Sequence, residues 1–378
     1  MPNATDWSEL RRRMPVAQRY AYFDHAAVSP LPRPTADAIC AWAEDTAACG
    51  DANWGRWSKS LGGVRKLAAG LVNAESDEVA VVRNTTEGVT LVAEGFRWRD
   101  GDNVVLPANE FPSNRLPWVN LASRGVEVRQ VPVELGRLDL MRLADACDAR
   151  TRIVAVSWID YATGWRNDVA QLADLVHDRG ALLFLDAIQG LGVFPLDVKS
   201  TGVDFLAADG HKWLLGPEGA AIFFLRKEHL DLLRPFGLGW NSVIHPRDYG
   251  DPNPRLLDSA ARYEGGTWPM GGYVGLEQSL KLLLEFGVER ICERVLQMSQ
   301  TLCERLSAAG ATVVSARAKE RASGIVAFEL TGRDPAEVRA RCLAANVILS
   351  VRGGRLRASP HAYNNQDDVE RLAAVISG

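Results

Sequence analysis

Residues 181–190 have the sequence Ala-Leu-Leu-Phe-Leu-Asp-Ala-Ile-Gln-Gly, and residues 205–213 have the sequence Phe-Leu-Ala-Ala-Asp-Gly-His-Lys-Trp. Each stretch begins with a short apolar run, which predicts buried strands at Leu182–Asp186 and Phe205–Ala208. The pattern of residues 168–179 predicts a helix before the first of them. Strands that are apolar at nearly every position, alternating with helices, are typical of a parallel sheet covered on both faces.

Further apolar runs on both sides of this stretch extend the same pattern. We expect five more strands in an α/β fold with a mainly parallel seven-stranded sheet, at Val79–Val82, Asn103–Leu106, Val126–Val131, Ile153–Ser157 and Ala220–Leu225. Ligands of such sheets bind beyond the carboxyl ends of the strands. Asp186 falls at one of these ends, so a site is expected there.

The carboxyl-terminal third predicts a smaller α/β unit after a Gly- and Pro-rich loop at residues 235–254. Helices are expected at 272–286, 288–309 and 335–345, and strands at 324–330 and 349–359. At 378 residues the chain exceeds one ordinary core. We therefore predict a large domain of residues 21–271 and a small domain of residues 1–20 and 272–378.

Composition argues against several classes of protein. A net charge of −4 without a long basic run gives no expectation of nucleic-acid binding. No apolar stretch reaches the length of a membrane span. The six cysteines form no Cys-x-x-Cys pair, which favours buried thiols in a reducing cytoplasm, and the six scattered histidines predict no metal site.

A lysine just after one strand and an aspartate at the tip of another have two interpretations. Lys212 and Asp186 are the residue types that a pyridoxal phosphate (PLP) enzyme requires, because a lysine amine forms a Schiff base with the cofactor and a carboxylate keeps its pyridine nitrogen protonated. The alternative is a surface lysine beside a helix-capping acid.

Other candidate residues also have two interpretations each. Thr85 and Thr86 precede a helical pattern and suit a phosphate, or merely cap the helix. Phe111 follows a strand and could stack on a flat ring, or belong to the core. Gln189 could contact a cofactor oxygen or a backbone carbonyl of its own turn.

Two more candidates lie further along the chain. The turn Glu264-Gly265-Gly266-Thr267 could bring its backbone close to a phosphate, or be a plain loop. Arg357 stands in a strand candidate among small and apolar neighbours, where a half-buried arginine needs an anion. That anion is a substrate carboxylate or the partner in a structural salt bridge.

Taken in order, these residues resemble the class V aminotransferase family of fold-type I PLP enzymes, which includes cysteine desulfurases, isopenicillin N epimerase and kynureninase. The resemblance rests on Thr85-Thr86-Glu87, Asp186-x-x-Gln189, Gly210-His211-Lys212 and Gly266-Thr267. It covers most of the chain, and Asp209-Gly-His-Lys-Trp213 and residues 357–364 are most similar to the isopenicillin N epimerase-like branch.

The resemblance implies a role for each matching residue. Lys212 would form the internal aldimine and move the substrate α-proton, with Asp186 on the pyridine nitrogen. The other implied contacts are Gln189 with the ring oxygen, Phe111 on the ring, Thr85, Thr86 and His211 with the phosphate, Arg357 with the substrate carboxylate, and Thr267 with the phosphate of the other subunit of a homodimer. Tyr161 and Trp240 are expected in the substrate pocket.

Departures from the family pattern refine the expected reaction. Desulfurases place a histidine where Phe111 stands, and a nucleophilic cysteine in the loop before the carboxylate arginine. Residues 350–357 contain no cysteine, which argues against persulfide chemistry. Asp209 stands where desulfurases often carry a phosphate-binding serine, so we expect its carboxylate to point away from the phosphate.

Three functions remain after these comparisons of motifs. The first is an aminotransferase- or epimerase-like reaction on an amino acid, through α-proton removal by Lys212. The alternative is a cysteine-independent PLP lyase, such as a C–S lyase or a kynureninase-like enzyme, since Tyr161-Ala-Thr-Gly164 is closer to kynureninase. A non-catalytic PLP-binding protein is the third.

Overall fold

The computed structural model describes residues 6–378. Its helices are α1 (Trp7–Arg12), α2 (Arg33–Cys49), α3 (Trp54–Trp57), α4 (Lys59–Val72), α5 (Thr85–Gly95), α6 (Leu116–Val119), α7 (Leu140–Ala146), α8 (Val169–Asp178), α9 (Val198–Thr201), α10 (Met270–Phe286), α11 (Val288–Ala308), α12 (Pro335–Ala344) and α13 (Gln366–Ser377).

The strands are β1 (Ala21–Tyr22), β2 (Val79–Val82), β3 (Asn103–Pro107), β4 (Glu127–Val131), β5 (Val133–Glu134), β6 (Arg137–Leu138), β7 (Thr151–Ser157), β8 (Leu182–Asp186), β9 (Phe205–Asp209), β10 (Ala221–Leu225), β11 (Thr312–Val313), β12 (Val326–Glu329), β13 (Val347–Ile348), β14 (Ser350–Arg352) and β15 (Arg355–Ala358).

Seven strands form the large sheet in the order β2-β10-β9-β8-β7-β3-β4. Strand β10 runs antiparallel to both of its neighbours, and the other pairs are parallel. Apolar side chains pack in two separate clusters that include alternate residues of the same strands, for example Val81 in one and Val82 in the other. All seven strands expected from the sequence are present, so the prediction of a mainly parallel seven-stranded α/β sheet is confirmed.

A four-stranded antiparallel sheet, in the order β11-β12-β15-β14, follows α11. Its apolar face packs on α11, α12 and α13 in a third cluster that contains Phe328, Leu356 and Leu372. The single strand expected at 349–359 is wrong, because β14 and β15 form a hairpin. Gly353 and Gly354 make its turn with φ of +56° and +74°, a backbone region that glycine enters without steric cost.

Part of the amino-terminal segment contacts this small unit. Strand β1 pairs in parallel with β13, and Arg11 forms a 2.8 Å ion pair with the buried Asp368. Residues 1–5 of the expected small domain lie outside the described part of the chain. The expected boundary after residue 271 falls inside α10, and the division into domains stays a prediction.

The expectation of buried thiols is wrong for Cys40 and Cys49, which are exposed on α2. Cys342 is buried in α12, as expected from its helical pattern. Within residues 6–378, no helix has the length and apolar character to cross a membrane, and no three metal-binding side chains cluster in a way that could hold an ion.

Candidate active site

A cavity of about 340 Å³ opens where β8 and β9 end, between the start of α5 and the β14–β15 hairpin. The position agrees with the rule that ligands bind beyond the carboxyl ends of parallel strands. Nine of the eleven candidate residues line it: Thr85, Thr86, Phe111, Tyr161, Asp186, Gln189, His211, Lys212 and Arg357.

Lys212 is the amine in this cavity. It follows the end of β9 by three residues and is only 8% exposed. Burial lowers the pKa of Lys212 to about 8, because an ammonium loses hydration there; Asp186 and Asp209 oppose the shift, while Arg357 and Arg352 add to it. A lysine with this pKa supplies neutral amine near physiological pH, which a nucleophile or a general base requires.

Asp186 is the last residue of β8, and its side chain is buried. Burial raises the pKa of Asp186 to about 6, while a 3.1 Å hydrogen bond from Ile188 N and the charge of Lys212 oppose the rise. The carboxylate is therefore ionised above about pH 6 and can hold a positive group inside the cavity.

The side-chain amide of Gln189 donates one hydrogen bond and accepts another. Its Nε2 donates to Ala26 O at 3.0 Å, and its Oε1 accepts from Trp213 Nε1 at 2.9 Å. The backbone contact thus goes to a segment distant in sequence, rather than to the turn of Gln189 itself. A second N–H on Nε2 remains for a ligand, and the contact with a ring oxygen stays a prediction.

The first turn of α5 provides donors for an anion. Asn84 caps the helix by accepting from Glu87 N at 2.9 Å, so the expected capping by Thr85 or Thr86 is wrong. Thr85 Oγ1 instead accepts from Asp209 N at 3.0 Å, and Thr86 Oγ1 lies 2.8 Å from Ser113 Oγ. These threonines are free of a capping role, and the backbone N–H groups at the helix start suit an anion.

A close approach of α5 to β9 sets this arrangement. A Cβ atom on Gly88 would lie 2.6 Å from Ala207 Cβ, so only glycine allows the helix to pack this near the strand. As a result, the start of α5 reaches the end of β9, where Asp209 and His211 lie.

Asp209 lines the cavity, and the direction of its carboxylate relative to a bound phosphate stays a prediction. Its Oδ2 lies 3.0 Å from His211 Nδ1, although the two atoms lack the alignment of a hydrogen bond. Among the described residues, Asp209 Oδ1 and His211 Nδ1 are buried without a hydrogen-bond partner. The backbone N–H of Asp209 donates to Thr85, which ties the end of β9 to the start of α5.

Arg357 is 1% exposed and reaches the cavity from β15. Its Nη1 donates to Tyr161 O at 2.6 Å, its Nε to Ser350 Oγ at 3.2 Å and its Nη2 to Asp24 Oδ1 at 3.4 Å. Burial lowers the pKa of Arg357 to about 10, and Asp24 opposes this shift. Three of the five N–H bonds of the guanidinium are engaged, which leaves two for a carboxylate.

Two aromatic rings form a wall of the cavity. Phe111 and Tyr161 meet edge to face with centroids 5.2 Å apart, and Lys212 Nζ lies 5.5 Å from the centre of the Phe111 ring. Phe111 is 39% exposed, so its assignment to the core is wrong. An accessible ring beside the lysine is placed to stack on a flat ligand.

Thr267 and Trp240 do not line this cavity. Thr267 is exposed on an apolar groove of about 600 Å³ whose walls include Trp54 and Trp268. Trp240 lies in a short 3₁₀ helix and meets Trp268 with ring centroids 6.1 Å apart. Within one chain, both residues therefore stand apart from Lys212.

Sequence reasoning missed several residues of the cavity. Asn84 and Ser113 adjoin recognised motifs, so inspection of their neighbours would have found them. Arg352 stands five residues before Arg357, and only the glycine-glycine turn between them signals a hairpin that brings both to one site.

Comparisons with known proteins place the chain in a family and match its fold. The family described as Aminotransferase class-V matches residues 21–372. A probable cysteine desulfurase of Methanothermobacter thermautotrophicus is 33% identical over 97% of this chain and 96% of its own length. A cysteine desulfurase of Klebsiella pneumoniae is 31% identical over 82% of this chain and 80% of its own.

Among solved structures, a cysteine desulfurase from Thermococcus onnurineus has the same fold. It superimposes with a TM-score of 0.88 at 26% identity, over 98% of this chain and 96% of the other. The resemblance thus extends over both sheets described above.

Proposed function

This chain belongs to the class V aminotransferase family, and from that premise we propose that it removes and returns the α-proton of an amino acid in an aminotransferase- or epimerase-type reaction. Membership confirms three expectations from the sequence: the family, an enzymatic activity and PLP as the cofactor. The observation that carries the proposal is the meeting of Lys212, Asp186 and Arg357 in one cavity.

The polar groups of the cavity fit this cofactor. A buried carboxylate, a buried amine and the donors at the start of α5 suit a ring nitrogen, an aldehyde and a phosphate respectively. His211 Nδ1, buried without a hydrogen-bond partner among the described residues, is a further candidate for the phosphate. When bound, PLP supplies an electron-accepting ring that makes the α-proton of an attached amino acid acidic.

Three residues of the chain have separate roles in the reaction. Asp186 is ionised at neutral pH and holds positive charge on the ring nitrogen. Arg357 binds the α-carboxylate with its two unused N–H bonds and thereby orients the Cα–H bond. Lys212 Nζ takes the α-proton and returns it, while Phe111 and Tyr161 limit access of water.

A cysteine-independent lyase is the second candidate. It is favoured by the relatives named cysteine desulfurases, because removal of sulfur from cysteine breaks a C–S bond. Against persulfide chemistry, no cysteine lines the cavity in the described part of the chain, and the hairpin of residues 350–357 carries none. A C–S lyase of this kind would release its product without a cysteine nucleophile.

A panel of amino acids incubated with the holoenzyme separates the two candidates. We expect formation of more than one equivalent of keto acid per site only when a keto acid acceptor is added, or inversion at Cα without one. Pyruvate and ammonia formed from cysteine-type substrates without an acceptor would overturn the first candidate in favour of the lyase, and alanine formed from cysteine would favour a desulfurase. A cofactor spectrum that no amino acid changes would contradict both candidates.

We further propose that the functional unit is a homodimer in which Thr267 serves the site of the other subunit. Thr267 is exposed and lies outside its own cavity, on the apolar groove that includes Trp54 and Trp268. A second copy seated on this groove would cover the tryptophans and bring the Gly266-Thr267 turn to the partner's phosphate. A cytoplasmic location also stays a prediction.

The dimer proposal predicts complementation between two inactive variants. Thr267→Glu places a carboxylate against the phosphate and should weaken cofactor binding, whereas Thr331→Glu, at an exposed turn of the small sheet, should not. Mixing Thr267→Glu with Lys212→Ala subunits should restore one intact site per mixed dimer, measured as regained turnover. No recovery after verified subunit exchange would assign Thr267 to its own chain or to no site.

A further inference from the structure

The β14–β15 hairpin presents three arginines on one face. Cross-strand pairing sets Ser350 opposite Arg357 and Arg352 opposite Arg355. Side chains alternate between the faces of a strand, so these four share the face opposite to Leu356, which packs in the small core. The 3.2 Å bond between Arg357 Nε and Ser350 Oγ agrees with this assignment.

Two of these arginines have carboxylate partners. Arg357 Nη2 lies 3.4 Å from Asp24 Oδ1, and Arg355 Nε lies 2.6 Å from Glu329 Oε1. Arg352 lines the cavity with Arg357 and donates only to the carbonyl of Val351, at 2.8 Å from Nη1. Within residues 6–378, no carboxylate oxygen lies within 4.0 Å of its side-chain nitrogens.

The position of Arg352 relative to Arg357 is suited to one small molecule. The two are diagonal neighbours across the hairpin, which places their Cα atoms about 7–8 Å apart. Both charges reach the catalytic amine, since each lowers the pKa of Lys212. Arg352 is only partly exposed, and Asp24, whose carboxylate feels the charge of Arg352, is already bonded to Ser350 and Arg357. A half-buried guanidinium without a directly bonded anion is unfavourable.

We propose that Arg352 binds an anionic group at the end of the substrate's side chain, so that the substrates are amino acids with an acidic side chain. The inference rests on the proposed function, because it takes the α-carboxylate to be on Arg357. Most of the N–H bonds of Arg352 are unused and can hold a carboxylate, sulfinate or sulfonate with bidentate geometry. A neutral side chain would leave this cation unpaired in the complex.

The test compares acids with their neutral amides. We expect the holoenzyme to prefer aspartate or glutamate over asparagine or glutamine by about 10- to 100-fold in kcat/KM, the size of one hydrogen-bonded charge contact. Arg352→Gln should abolish this preference, and Arg352→Lys should restore part of it. Arg355→Gln is the matched control, because Arg355 is on the same face but is paired with Glu329.

Binding gives a readout that does not depend on turnover. Calorimetry with α-methylaspartate and α-methylglutamate, which lack the α-proton, should show the same 10- to 100-fold loss of affinity in Arg352→Gln. Equal losses for acids and amides would overturn the inference, since Arg352 would then hold the α-carboxylate or the cofactor. Wild-type preference for neutral amino acids would also overturn it, whereas failure of the proposed function is distinct and appears as no reaction with any amino acid.

Discussion

Replacement of Lys212 by alanine is expected to lower kcat by at least roughly 10²–10⁴-fold, the usual contribution of a positioned proton-transfer group. The amine is buried, lies 5.5 Å from the Phe111 ring centre and has its pKa lowered to about 8. The cofactor should still bind, because the other polar groups of the cavity remain. Steady-state assays measure the loss of kcat, and the cofactor absorbance that stays with the desalted variant measures binding. Borohydride reduction of the wild type followed by peptide mass analysis identifies the lysine that carries the cofactor.

Two variants control the Lys212 experiment. Lys212→Arg keeps a positive charge but is always protonated, so it should be as inactive as the alanine variant. Lys66→Ala removes an exposed lysine of α4 and should leave kcat unchanged. Full turnover by Lys212→Ala, or a cofactor label on another lysine, would show that the assignment is wrong.

Replacement of Asp186 by asparagine is expected to lower kcat by about 10²–10³-fold, as for removal of a preorganised charge partner. The amide has the shape of the carboxylate but cannot hold a proton on the ring nitrogen. KM should change less than kcat, because Asp186 is proposed to contact the ring and not the substrate carboxylate.

The same substitution should have the opposite effect on stability of the apoprotein. Burial raises the pKa of Asp186 from 3.8 to about 6, so the folded state disfavours the ionised form. The destabilisation of the folded state therefore develops as pH rises from about 4 to 6. Above pH 6 it reaches at most roughly 3 kcal/mol. Asp186→Asn should raise the apoprotein melting temperature at pH 7 and not at pH 3.

An exposed acid provides the matched control for Asp186. Asp178→Asn, at the end of α8, should alter neither kcat nor the melting temperature. If Asp186→Asn instead loses stability at pH 7 along with activity, Asp186 has a structural role and the proposed pairing with the ring is contradicted.

Local sequence patterns were sufficient to predict the seven strands of the large sheet. Strands such as β8 and β9 are apolar at nearly every position because both faces are covered, and their ends are marked by Asp186 and Asp209. The sequence predictions were wrong where a pair of glycines ended a strand and where a neighbouring residue capped a helix. Gly353 and Gly354 divide the expected last strand, and Asn84 caps α5 in place of either threonine.

Short stretches of sequence by themselves determined the strands of the large sheet and the candidates Asp186 and Lys212, because apolar runs and the polar residues that end them are local patterns. The cofactor followed from the resemblance that several such motifs share with one family. The tertiary structure alone decided which distant side chains join them. Arg352 and Arg357 come to the cavity through cross-strand pairing of the small sheet, and Asp24 reaches Arg357 from the amino-terminal segment. Such contacts depend on the docking of elements far apart in the chain, which no local pattern encodes.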